Sequence, residues 1–89
     1  MTAPVMQAGE GALSFLGFTG TASYEMPVRK YTSRAPIGAR GALLLQPTTA
    51  RDFYRAGSGS LVLDDGRACR IVVLGHTEGS DRAYFEVVG

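Results

Sequence analysis

Apolar and polar positions are best organised in the last third of the chain. Leu61-Val62-Leu63 is followed by Asp64-Asp65-Gly66, then by the mostly apolar stretch Arg67 to Leu74, a polar break from Gly75 to Asp81, and Ala83 to Val88. Asp-Gly between two apolar runs is a strong local hairpin signal, because a tight turn needs positive φ and glycine supplies it without steric cost. The pattern predicts an antiparallel three-strand meander. Within it Cys69, Ile71 and Val73 share one face of the second strand, and Ala83, Phe85 and Val87 share one face of the third. The opposite faces carry Arg70 and Glu86, but also Val72, Leu74, Tyr84 and Val88. A solvated face alternates more cleanly to polar residues. The outer face is therefore expected to be covered by a helix or used for contact, with Val72, Leu74, Tyr84 and Val88 as the candidate partner interface.

Further upstream, Ala22, Tyr24 and Met26 alternate with Thr21, Ser23 and Glu25, the period of a half-buried strand. Leu13 and Phe15 have one parity and Leu16 and Phe18 the other, which predicts a bulged strand or a tight hairpin near Gly17 and Gly20. Residues 1–11 hold Pro4, Gly9 and Gly11 without a period and read as a flexible N-terminal arm, leaving 12–89 as a single small β domain. The Pro- and Gly-containing stretch 27–41 reads as a loop with an extended piece. Ala42 to Gln46 reads as a short strand. Pro47-Thr48-Thr49 then opens a helix over 48–56, with Thr48 or Thr49 as its cap, Phe53 and Tyr54 facing inward, and Gly57 ending it. The predicted class is mainly β: a small antiparallel β-barrel or rolled sheet of five to six strands with one short helix.

Composition narrows the function classes. The chain has 89 residues and 45% hydrophobic content, enough for one modest core. Cys69 is the single cysteine, so no disulfide within the chain is available. The N-terminal residues lack the basic and apolar segments of a signal peptide, and no apolar run approaches the roughly 18 residues of a membrane span. A soluble, cytoplasmic protein without membrane contact is expected. The formal net charge is +1, which by itself indicates no polyanionic partner. No phosphate-cradling glycine motif occurs, and no cofactor is expected.

Four sets of residues could carry chemistry. His76 lies in a polar loop with Glu78 and Asp81, a thin set for a metal or a general base because the chain has no second histidine. Cys69 could be a nucleophile paired with His76, but its core-facing position favours a small buried hydrophobe. Asp64-Asp65 could hold a cation, although a turn uses Asp for its own backbone hydrogen bonds. From Met26 to Arg51 the chain has five basic residues and no acidic one. Arg29, Lys30, Tyr31, Arg34 and Arg40 form a basic loop that could meet an anion or nucleic acid. The leading expectation is a non-enzymatic interaction or assembly module, pairing with itself as a homodimer or with another protein. Alternatives are a nucleic-acid-binding barrel using the 29–40 loop and, least favoured, a small enzyme or metal site at His76.

Overall fold

The structure, a computed structural model, describes residues 5–28 and 37–89. Six strands and one helix follow in the order β1 (Val5–Phe15), β2 (Phe18–Val28), β3 (Arg40–Leu44), α1 (Pro47–Ala56), β4 (Ser58–Val62), β5 (Ala68–His76) and β6 (Arg82–Val87). The strands close into an antiparallel barrel in the spatial order β1-β2-β3-β6-β5-β4. The fold is mainly β with one short helix, as expected, and of the barrel or rolled sheet of five to six strands it is the closed barrel of six.

The parity switch near Gly17 resolves as a tight hairpin. Phe15 pairs with Phe18, Gly17 has φ +83°, and the two rings stack with centroids 4.9 Å apart. The Asp-Gly signal resolves as the β4–β5 turn, with Gly66 at φ +91° and its N–H donating to the Leu63 carbonyl at 3.0 Å. The meander follows as β4-β5-β6. Its inward residues Cys69, Ile71, Ala83, Phe85 and Val87 are buried with Leu13, Tyr24, Met26, Leu43 and Leu61 in one core.

Residues 5–11, read from the sequence as part of the arm, instead form the first half of β1 and pair with β2 from Val5↔Val28 to Gly11↔Ala22. The residues before them lie outside the described residues. No apolar period marks this half because glycines stand where side chains would point inward. A Cβ on Gly11 would lie 2.6 Å from the Val62 carbonyl oxygen and 3.0 Å from Leu61. At Gly9 it would meet the Asp64 carboxylate and come within 3.3 Å of the Tyr24 hydroxyl. The neighbours fill the space, so the strand has inward positions without inward side chains.

In the barrel β3 and β4 lie on opposite sides, so the chain must cross one mouth to pass between them. Helix α1 makes that crossing. It buries Ala50 and Phe53, and the Phe53 ring lies 5.3 Å from that of Phe15. Pro47 starts it and Gly57, at φ +85°, ends it with its N–H on the Phe53 carbonyl, as the glycine stop predicts. The cap differs from expectation: Gln46 is the N-cap residue and makes no side-chain capping bond, so neither Thr48 nor Thr49 has that role. Tyr54 is also 54% exposed rather than inward, because successive residues of an α-helix point about 100° apart and Phe53 takes the inward direction.

Candidate functional site

Two surfaces stand apart from a plain barrel exterior. The first is the outer face of β2, β3, β6 and β5. Register places Glu25 beside Ala42, Ala42 beside Tyr84, and Tyr84 beside Gly75 in one row across the four strands. A bulge between Val73 and Gly75 in β5 inserts Leu74 next to that row, on the outside. Met6 approaches from β1. Together Met6, Glu25, Arg40, Leu74, Arg82 and Tyr84 line an open groove of about 400 Å³ floored by Gly41 and Ala42. Met6, Leu74 and Tyr84 are 58%, 47% and 51% exposed. The helix, which crosses the barrel mouth, leaves them uncovered.

The four residues expected to form the partner interface are only partly brought together. Leu74 and Tyr84 share the groove. Val72 is half-buried and pairs in register with Glu86, which forms an ion pair with Arg40 at 3.1 Å. Val88 is exposed beyond that ion pair, with its N–H on the Arg70 carbonyl. Arg40–Glu86 therefore divides the face, and Val88 lies on its far side. Met6 was not foreseen because it sits in the glycine-bearing half of β1 that carries no periodic signal.

The second surface is a polar clasp at the barrel end opposite the helix. The buried Tyr24 ring brings its hydroxyl to the end of the core. There it accepts a hydrogen bond from Gln7 Nε2 at 2.7 Å and donates to Asp64 Oδ1 at 2.7 Å. Gln7 Nε2 also donates to Asp64 Oδ1 at 3.0 Å, and Gln7 Oε1 accepts from Arg67 Nη2 at 2.9 Å. The Arg67 side chain donates to Asp65 Oδ2, and the Arg67 backbone N–H donates to Asp65 Oδ1 at 3.0 Å. The Arg67 side chain and then its backbone N–H hold the Asp65 carboxyl at a pKa of about 2, below its ordinary 3.8. Burial, then the bond to the Asp64 carboxylate, pushes the Tyr24 phenol above its usual 10.0. Both aspartates are thus engaged by protein donors, the turn-forming role that their position next to glycine suggests. Arg67 lies only two residues from Asp65, but sequence spacing gives no sign of Gln7 or Tyr24, which meet Asp64 across 57 and 40 positions.

The other candidates separate. Cys69 is buried at the start of β5, its thiol donates to the Leu61 carbonyl at 3.5 Å, and burial raises its pKa. His76 ends the same strand, seven residues on, which is roughly 20 Å of extended chain. Its Nε2 is 2.9 Å from the Ser80 carbonyl oxygen, so that nitrogen donates and the ring closes the 77–80 turn. Among the described residues no three His, Cys, Asp or Glu side chains converge on a point that could hold a metal ion. Arg29, Lys30, Tyr31 and Arg34 of the basic loop lie outside the described residues, and Arg40 shares its charge with Glu86.

No family model, curated protein or solved structure matches the chain. Among the described residues no helix is long and apolar enough to cross a membrane. The surface itself is what a functional reading rests on.

Proposed function

We propose that this chain is a small non-enzymatic interaction module that pairs with a second copy of itself through the β2-β3-β6-β5 face. The observation that carries the reading is the groove in which Met6, Leu74 and Tyr84 stand exposed together, with Glu25 on one side and Arg82 on the other. Aromatic and aliphatic side chains inside a charged rim have the composition of a protein interface. A surface carrying both signs of charge suits a copy of itself better than a strongly acidic or basic partner. The burial of Cys69 and its distance from His76 support a binding role over a catalytic one.

Sedimentation at tens of micromolar tests this. A dimer is expected, and Tyr84→Glu or Leu74→Glu should shift it toward monomer with the thermal unfolding of the barrel retained. A wild-type protein that sediments as a clean monomer at high concentration overturns the proposal.

A further inference from the structure

We infer that the self-association, resting on the reading above, is a face-to-face two-fold pairing in which Arg82 of each copy meets Glu25 of the other. Neither side chain forms an ion pair among the described residues, whereas neighbouring Arg40 already holds Glu86. The register fixes where they stand. Glu25 lies in the row Glu25–Ala42–Tyr84, and Arg82 lies in the adjacent row Ser23–Leu44–Arg82. Arg82 is therefore two strands across and two residues along from Glu25, roughly 12 Å away at strand spacings of about 4.8 Å and rises of about 3.4 Å.

Two identical faces that pack against each other are related by a two-fold axis lying in the plane of contact. Such an axis exchanges Glu25 and Arg82 if it bisects the line between them. That bisector crosses β3 between Ala42 and Leu44. Ala42 is the smallest side chain of the face, so the two surfaces approach closely there. Leu44, exposed in the single copy, becomes the centre of the contact, with Tyr84 beside it. Two equivalent Arg82–Glu25 pairs flank this apolar centre. Rim charges of this kind fix register and reject wrong pairings more than they add affinity.

The test uses the full chain with Glu25→Arg, Arg82→Glu, their double variant, and Leu74→Glu as a probe of the face. All three sites are outside the core, so far-UV circular dichroism should be unchanged in each of the four variants. Each charge reversal sets like charge against like and should weaken the dimer by about tenfold or more in sedimentation equilibrium. The double variant should recover to within a few-fold of wild type. A mixture of the two single variants should form a heterodimer, because the introduced arginine faces the introduced glutamate while the native Arg82 and Glu25 still meet. If Leu74→Glu dissociates the dimer but the reversals leave it intact, or the double variant and the mixture fail to recover, the pairing is wrong and the face remains. A monomeric wild type removes both.

Discussion

Replacing Tyr24 with Phe isolates the clasp from the core. The ring is buried and its packing is kept, so no cavity opens, and only the hydroxyl is lost. That hydroxyl makes two bonds of 2.7 Å, one from Gln7 and one to the Asp64 carboxylate. A hydrogen bond to a charged group contributes about 1.5–3 kcal/mol. The lower end applies here, because exposed Asp64 can rehydrate and Gln7 keeps its 3.0 Å bond to it. A loss of about 1.5 kcal/mol lowers Tm by roughly 6–12 °C for a domain of this size. Thermal unfolding at neutral pH reads it directly. Alkaline pH gives an independent check. The folded phenol titrates above 10.0, so the native state holds a proton that the unfolded chain releases. That contribution is complete below pH 10 and disappears as pH rises through the folded value. Tyr24→Phe has no such group, so the gap between the two proteins should narrow above pH 10. A Tm within about 2 °C of wild type, with a gap that does not change at high pH, would refute the clasp as a source of stability.

Two further outcomes follow from the β4–β5 turn. Gly66→Val forces a β-branched residue to φ +91° and should cost about 1–3 kcal/mol, so an unchanged unfolding midpoint would show that the turn is misassigned. Asp65 has a folded pKa of about 2 against an ordinary 3.8, so its contribution is present above pH 4 and is lost as pH falls toward 2. Asp65→Asn should flatten this part of the acid-stability curve. The difference should be at most about 1 kcal/mol, because the pair with Arg67 is partly exposed and screened by solvent. Superimposed acid curves for the two proteins would show that the ion pair adds nothing.

The clasp lies beside a short ladder of the barrel. β1 and β4 close the cylinder, yet they pair only where Ala12, Leu13 and Ser14 face Val62, Leu61 and Ser60. β4 ends at Val62, and among the described residues no strand pairs with Gly9 and Gly11 on that side of β1. The edge of β1 would be open there, and an open strand edge invites pairing with another chain. Side chains take over from the ladder. Asp64 lies against Gly9, and Gln7 reaches from β1 to Asp64, Asp65 and Arg67 of the turn. Glycine in β1 and an acidic turn in β4–β5 are thus two halves of one device, and the barrel remains shut where backbone bonds run out.

Why some of this was legible in the sequence and some was not follows from what each element leaves in the residue order. The meander and the helix stop have local causes: alternation in 69–73 and 83–87, Gly66 at positive φ, Gly57 past the last turn. Such causes appear within a few residues and can be read directly. Closure has no local cause. Gly9 and Gly11 look like loop residues because the atoms that demand their smallness belong to Tyr24, Leu61, Val62 and Asp64, far along the chain. The same holds for the outer face. Leu74 and Tyr84 could be placed outside by parity, but Val88 could not be separated from them without the Arg40–Glu86 pair, nor Met6 joined to them without β1. Parity says which side of a sheet a residue faces. Only the order of strands around the barrel says which residues on that side are neighbours, and a surface that binds is made of neighbours.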